Sequence, residues 1–146
     1  MKVVATNKKA HFEYFVLEKF TAGIVLVGSE VKSIRAGNVS INDTYVSIRD
    51  GEAWIINMYI KPYEHANSFV PAERRARKLL LNRSELNELL GAVSQKGQTV
   101  VPLKLYFEGS LVKLEIAICK GKKLFDKRET IKQRDLARER ARELKN

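Results

Sequence analysis

The stretch from Val101 to Cys119 constrains the fold more than any other part of this sequence. Two apolar-rich runs, 101–107 and 111–119, flank Glu108-Gly109-Ser110. In the second run the apolar residues Val112, Leu114, Ile116 and Ile118 occupy alternate positions, which is the pattern of a strand with one buried face. A short segment containing Gly between two such runs is typical of a β-hairpin. The sequence therefore predicts two antiparallel strands here.

Similar runs occur earlier in the chain. Residues 12–17 and 22–27 are rich in aromatic and branched side chains, which favour strands. Residues 45–49 and 53–56 flank Asp50-Gly51. This pair predicts a second hairpin, because Gly accepts the positive φ that a tight turn requires.

Two short helices are expected between the strands. Ser29 is a candidate N-cap for a helix that ends at Gly37, with Glu30 placed favourably near the helix N-terminus. Ser84 is a candidate N-cap for 85–93, where four residues make one apolar face. These four are Leu86, Leu89, Leu90 and Val93. About six strands with short turns and two small helices predict a mainly β fold, a closed or partly closed antiparallel barrel.

The net charge of +10 is unevenly distributed. Residues 120–146 hold 11 Lys and Arg against 5 Asp and Glu, so more than half of the excess positive charge lies in the last fifth of the chain. Such a surface attracts polyanions, whether nucleic acid, acidic proteins or anionic lipid. We therefore divide the chain into a β body, 1–119, and a basic tail, 120–146.

Several function classes are disfavoured. The single cysteine, Cys119, lies in an alternating apolar run, and neither His11 nor His65 has the sequence context of a cysteine enzyme. The three residues are too few for a usual structural zinc site. The sequence shows no apolar run long enough to span a membrane and no signal-peptide pattern. We expect a cytoplasmic protein that is not an enzyme and uses neither metal nor cofactor.

Two basic segments of the body leave alternatives open. Residues 74–78, Arg-Arg-Ala-Arg-Lys, could bind phosphate or could form a solvated loop that leads into the core. Asn7-Lys8-Lys9 could donate hydrogen bonds to RNA or could belong to a frayed N-terminus. Six aromatic side chains could stack on unpaired bases, but core packing is the more common role of such side chains. They are Phe12, Tyr14, Phe15, Trp54, Tyr59 and Tyr63.

The tail also has two interpretations. In a helix, four cations would form one stripe, which Lys127 extends backwards. The four are Arg134, Arg138, Arg142 and Lys145. We predict that the segment after about residue 128 is poorly ordered in the free protein and becomes helical on RNA, because like charges repel along the stripe and little apolar surface can be buried. The alternative is a charged helix exposed to solvent.

The motifs resemble those of one family, the SsrA-binding proteins, which bind tmRNA in bacterial ribosome rescue. The resemblance rests mainly on Glu30-Val31-Lys32-Ser33-Ile34-Arg35-Ala36-Gly37 and on 120–128, Lys-Gly-Lys-Lys-Leu-Phe-Asp-Lys-Arg. Shorter matches include Asn7-Lys8-Lys9-Ala10, Ile60-Lys61-Pro62-Tyr63 and Arg77-Lys78-Leu79-Leu80-Leu81. The resemblance spans nearly the whole chain.

The resemblance implies an oligonucleotide-binding (OB)-type antiparallel β-barrel with short helices, whose face binds the tRNA-like domain of tmRNA. Carried over by position, the RNA contacts are Asn7, Lys8, Tyr14, Leu80, Asn82 and Lys113. Basic neighbours in the matching segments are expected to contribute to tmRNA binding: Lys9, Arg77, Lys78, Lys120, Lys122 and Lys123.

For the tail, the resemblance implies a place in the decoding centre of the small ribosomal subunit and in the empty mRNA channel, with a helical conformation there. The residues concerned are Asp126, Lys127, Arg128, Lys132, Arg134, Arg138, Arg142 and Lys145. The implied partners are tmRNA, the ribosome and elongation factor Tu in a complex with charged tmRNA, and the protein itself is expected to be a monomer. The alternatives are a structural ribosomal component and a general single-strand binder.

This chain departs from the family pattern at three places. Phe12 occupies a position where the family usually has a histidine, and Thr21 occupies one where it usually has a glutamate that contacts RNA. Ala72-Glu73 stands where Asp-Pro usually precedes the arginine cluster. These departures concern individual RNA contacts and the conformation of the loop at 65–76.

Overall fold

The computed structural model describes residues 1–64, 69–122, 128 and 131–138. Nine strands and three helices are assigned up to Gly121. The strands are β1 (Lys2–Thr6), β2 (Tyr14–Ile24), β3 (Val39–Ser40), β4 (Tyr45–Arg49), β5 (Glu52–Ile56), β6 (Tyr59–Ile60), β7 (Arg77–Leu80), β8 (Gln98–Glu108) and β9 (Leu111–Gly121). The helices are α1 (Ala10–Glu13), α2 (Gly28–Arg35) and α3 (Arg83–Val93). Residues 131–138 are also helical.

Seven strands form one antiparallel sheet in the order β1-β8-β9-β2-β7-β5-β4, and β3 pairs with β6 separately. The three longest strands, β8, β9 and β2, lie side by side and have 11 residues each. The sheet curls so that β4 packs against β8. The core lies inside this curl, where Ile34, Ile55, Leu105 and Ile116 are fully buried.

The sheet confirms the mainly β, OB-type prediction, with one difference. Its edge strands, β1 and β4, are not hydrogen-bonded to each other in the described part of the chain, so the barrel is not closed. Both hairpins are confirmed: β4 pairs with β5 and β8 with β9. At the first turn Asp50 and Gly51 both have positive φ, 51° and 74°, as an Asp-Gly turn of this kind requires.

The start of β2 differs from the sequence prediction. Residues 12 and 13 belong to the single turn of α1, in which the Glu13 N–H donates to the Lys9 carbonyl at 2.9 Å. Strand β2 then joins residues 14–17 of the first predicted run and 22–24 of the second into one strand, with a bulge between Val16 and Glu18. Residues 25–27 of the second run lie outside the strand. Strand β1 is absent from the sequence prediction. It pairs with β8, so the segment before Asn7 is not frayed.

Both predicted helix caps are wrong. The N-cap of α2 is Val27, whose N–H donates to the Glu30 carboxylate at 3.1 Å. The N-cap of α3 is Asn82, whose side-chain oxygen accepts a bond from the Glu85 N–H at 2.8 Å. The apolar face of α3 is narrower than predicted, because Leu90 is 51% exposed and Ala92 is buried instead.

Candidate nucleic-acid interface

The predicted RNA contacts of the body fall into two groups at opposite ends of β2. Tyr14 begins the strand and Gly23 lies near its end. They are nine positions apart along the strand, which corresponds to about 30 Å. We call the group at the start of β2 the N-terminal cluster: Asn7, Lys8, Lys9, Tyr14, Lys120 and Lys122. We call the group at its end the groove cluster: Lys78, Leu80, Asn82 and Lys113.

Backbone hydrogen bonds hold the N-terminal cluster in place. The Asn7 N–H donates to the Leu103 carbonyl at 2.8 Å, and its side-chain amide donates to the Pro102 carbonyl at 3.0 Å. Lys8 and Lys9 follow directly and are exposed. The Lys122 Nζ donates to the His11 carbonyl at 2.9 Å and lies 4.9 Å from the centre of the Phe15 ring. The segment that begins at Asn7 is therefore fixed on β8.

A cleft of about 210 Å³ opens beside this cluster. We call it the Tyr14–Tyr45 cleft, and it lies between the segment 7–14 and the loop that leads into β4. Its lining residues are Asn7, Lys9, Glu13, Tyr14, Asn42, Asp43, Thr44, Tyr45 and Val101. Burial, aided by Glu13 and Cys119, raises the pKa of Tyr14, so its hydroxyl stays protonated near neutral pH. Sequence reasoning missed the four residues at 42–45; the polar run Asn42-Asp43-Thr44, typical of a turn, was the available signal.

The groove cluster centres on Gly23. Its neighbour on β7 is Leu80 and its neighbour on β9 is Lys113, so the three lie in a row across the sheet. A Cβ at Gly23 would meet the Leu80 Cβ at 3.3 Å, which shows how closely the strands' side chains approach here. The adjacent apolar groove has a volume of about 270 Å³, and its rim includes the exposed Leu80 and Leu111. An apolar groove of this kind can hold a sugar or a base, and the lysine beside it can bind the adjoining phosphate.

Two predicted RNA contacts of the groove cluster, Lys78 and Asn82, already bind another group of the protein. The Lys78 Nζ lies 2.9 Å from a Glu52 carboxylate oxygen, in a pair that remains partly exposed. The Asn82 side chain caps α3, as described above. Each keeps exposed surface near the groove, so both remain candidates for RNA contacts.

Arg77 requires a correction. Its side chain is fully buried, and its Nε donates to the Glu30 carboxylate at 2.6 Å while Nη1 donates to the Met58 carbonyl at 2.7 Å. Arg75 donates to the other Glu30 oxygen at 2.5 Å. Of the predicted phosphate-binding residues at 74–78, Arg77 therefore offers no surface to RNA. It anchors the arginine segment to α2 instead.

Charge balance explains why Glu30 is tolerated inside the protein. Burial acts to raise the pKa of its carboxyl group, but hydrogen bonds from Arg75, the Val27 N–H and Arg77 outweigh burial and leave the pKa below its usual value. Glu30 thus remains ionised and paired at neutral pH. Buried charges in proteins are normally paired in this way.

The outer face of β2 and β9 lies between the two clusters. Thr21, where the family usually has a glutamate, is exposed and pairs across the strands with Glu115. The Glu115 carboxylate lies 3.9 Å from Lys19 Nζ and 3.6 Å from Lys104 Nζ. The face that carries Thr21 therefore has a carboxylate one strand away, and this carboxylate pairs with two lysines.

The tail is described only in part. Strand β9 runs to Gly121, two residues beyond the predicted end of the body. Residues 131–138 form a helix whose side chains are exposed. Arg128, Lys132, Arg134 and Arg138 are exposed, and the Arg134 guanidinium lies 5.9 Å from the Phe12 ring centre. The predicted sites Lys123, Asp126, Lys127, Arg142 and Lys145 lie outside the described residues.

Other chemistries find little support. Within the described ranges, no group of three or more His, Cys, Asp or Glu residues could hold a metal ion. Burial raises the pKa of Cys119 to about 11, so its sulfur is a poor nucleophile. None of the helices found in those ranges has the length and apolar character needed to cross a membrane.

An OB-like sheet with lysines at both ends of its long central strand, followed by a basic helical segment, is typical of RNA-binding proteins. Comparison with known proteins gives the family. The family model described as SmpB protein matches residues 4–146. The chain belongs to this SmpB family.

Relatives of similar length support the assignment. The SsrA-binding protein of Acholeplasma laidlawii (strain PG-8A) is 55% identical over 145 residues, which cover 99% of this chain and 97% of the relative. The SsrA-binding protein of Acetivibrio thermocellus is 54% identical over 144 residues, covering 99% and 94%. A solved structure described as "tmRNA-SmpB: a journey to the center of the bacterial ribosome" matches with a TM-score of 0.68 and 45% identity, covering 82% of this chain and 84% of that one.

Proposed function

We propose that this protein is a non-enzymatic adaptor that binds tmRNA (SsrA RNA) and delivers it to stalled ribosomes for trans-translation. The observation that carries the proposal is that the family match covers both parts of the chain, from residue 4 in β1 to residue 146. A protein that kept only the RNA-binding body would match over the sheet alone. The lysines at the two ends of β2 supply the cations that a protein surface needs to bind RNA phosphates.

The two parts have separate tasks in this proposal. The N-terminal and groove clusters hold the tRNA-like domain, and about 30 Å between them lets the two clusters contact one folded RNA at separate points. The tail, with Asp126, Lys127 and Arg128 followed by the helical stripe, enters the decoding centre and the empty mRNA channel. That channel is lined by RNA phosphate, so a cationic helix is complementary to it.

The remaining parts of the proposal concern context. The protein acts in the cytoplasm as a monomer, and it associates with elongation factor Tu through the charged tmRNA. Since the sheet is not closed, β1 and β4 are the edges that could pair with a second copy, but β1 has only 5 residues. Short edge strands of this kind discourage pairing between copies.

A binding assay tests the first task. Purified protein should prefer the tRNA-like domain of tmRNA over bulk tRNA at physiological salt, where non-specific phosphate binding weakens. Equal affinity for both RNAs would contradict the proposal. Stoichiometric co-purification with every ribosome would favour a structural ribosomal component instead.

A truncation tests the division of tasks. A chain that ends before Asp126 retains all nine strands, so it should bind tmRNA with nearly full affinity and fail to rescue stalled ribosomes. Loss of both activities would show that the division is wrong. In the full chain, changing Lys127 and Arg128 to Ala should allow arrival at the ribosome but block peptide tagging, which a reconstituted translation assay measures.

A further inference from the structure

The Tyr14–Tyr45 cleft contains groups that phosphate binding does not explain. Of its lining residues only Lys9 is cationic, whereas Glu13 and Asp43 carry carboxylates. Two carboxylates repel a phosphate and accept hydrogen bonds, so the cleft suits a group that donates them. Two tyrosines line the same space, and Tyr45 is 46% exposed. Aromatic side chains of this kind stack on flat, unpaired bases.

The wall formed by residues 42–45 is held in one conformation. The buried Thr44 hydroxyl donates to the Asn42 carbonyl at 3.1 Å, and the Asn57 side-chain amide donates to the Asp43 carbonyl at 3.0 Å. Asp43 has a φ of 56°, in the left-handed region that Asp tolerates better than most residues. Opposite this wall, the Pro102 carbonyl fixes the side chain of Asn7. The cleft is therefore formed before any ligand arrives.

We propose that this cleft binds one unpaired guanine of the RNA. Guanine is the only standard base whose Watson–Crick edge presents two adjacent donors, N1–H and the 2-amino group, which a single carboxylate accepts together. Glu13 or Asp43 accepts these two bonds, Tyr14 and Tyr45 contact the faces of the ring, and the exposed Lys8 and Lys9 meet the flanking phosphates. The inference rests on the proposed RNA-binding function and adds a base preference to it.

An arginine side chain from a protein partner has matching donors and could also stack on tyrosine. The surroundings favour the nucleotide. Lys8 and Lys9 are exposed, Lys9 lines the cleft, and the Lys122 Nζ binds the His11 carbonyl two residues further along the chain. These cations attract the phosphates of an RNA. The same charges repel an arginine-rich peptide.

The experiment uses the full chain and short RNAs of adenosine that carry one central guanine, adenine, cytosine, uracil or hypoxanthine. Fluorescence anisotropy at fixed salt measures the affinity for each. The guanine RNA should bind roughly tenfold tighter than the other standard bases, as a good bidentate contact provides. Hypoxanthine, which lacks the 2-amino group, should lose most of this preference. Equal affinity for all five RNAs would overturn the inference, while the separate preference for tmRNA over bulk tRNA would still decide the proposed function.

A pair of double variants locates the site. Glu13→Gln with Asp43→Asn removes both carboxylates and should abolish the preference for guanine. The control, Asp50→Asn with Glu108→Gln, makes the same charge change at exposed positions of two hairpins, a turn residue and the last residue of β8. Like Asp43, Asp50 has a positive φ, of 51°. The control should keep the preference. Retention by the first variant, or competition by N-acetyl-arginine amide but not by GMP, would overturn the assignment.

Discussion

The Glu30 carboxylate binds two arginines that lie 45 and 47 residues later in the chain. Local composition identified residues 74–78 as a possible phosphate site, but composition does not report which members of a cluster turn inward. The decision depends on a tertiary partner, Glu30, which the sequence places on a different element. Exposure of Lys8 and Lys9 could be predicted, because surface cations need no tertiary partner. The interior position of Arg77 could not be predicted, because it depends on Glu30.

Removal of Glu30 should be costly. Glu30→Ala leaves the buried Arg77 without its anion, and breaking a buried pair in this way costs about 3–5 kcal/mol. Glu52→Ala, which breaks the exposed pair with Lys78, should cost less than about 1 kcal/mol. Urea unfolding followed by circular dichroism measures both. Similar losses in the two variants would show that the Glu30 pair is not a stabilising contact.

The same pair predicts a pH dependence. Because the folded-state pKa of Glu30 is lowered, its stabilising contribution is complete above the pKa of the unfolded chain and is lost as pH falls through the folded value. The difference in unfolding free energy between the wild type and Glu30→Gln should therefore shrink below about pH 4. A difference that stays constant from neutral to acid pH would contradict this assignment.

Among the elements, the hairpins were predictable because their signals are local. Asp50-Gly51 and Gly109 mark turns that the adjoining alternation confirms. Strand β1 was missed because only five residues pair with a strand about a hundred positions away. The helix caps were misplaced because Ser29 and Ser84 have side chains that suit an N-cap, although each lies two positions after the true N-cap. A cap depends on backbone geometry as well as residue type.

The position of the α3 cap can be tested directly. Asn82→Ala removes the acceptor for the Glu85 N–H and should cost about 1 kcal/mol. Ser84→Ala, at the position that the sequence favoured, should change the unfolding free energy by only a few tenths of a kcal/mol. Thermal unfolding of both variants measures the difference. A larger loss of unfolding free energy for Ser84→Ala would show that Ser84, and not Asn82, is the N-cap.

At the scale of the whole molecule, the division into body and tail predicts a difference in salt dependence. Replacing Lys8 and Lys9 with Ala should reduce the slope of log affinity against log salt for the isolated tRNA-like domain, by about one for each phosphate that a lysine no longer neutralises. Replacing Arg134 and Arg138 with Ala should leave that slope unchanged if, as proposed, the tail binds the ribosome and not this RNA domain. Equal changes in the two variants would place the tail on tmRNA.

The buried Cys119 makes the molecule convenient for spectroscopy. It is the only cysteine in the sequence, and its raised pKa leaves almost no reactive thiolate under ordinary labelling conditions. A thiol introduced at an exposed position, such as Ser94 in the body or Ala137 in the helical tail segment, would then take up a fluorophore selectively. Energy transfer between two such dyes would follow the distance between body and tail when purified ribosomes are added, without first removing the native cysteine.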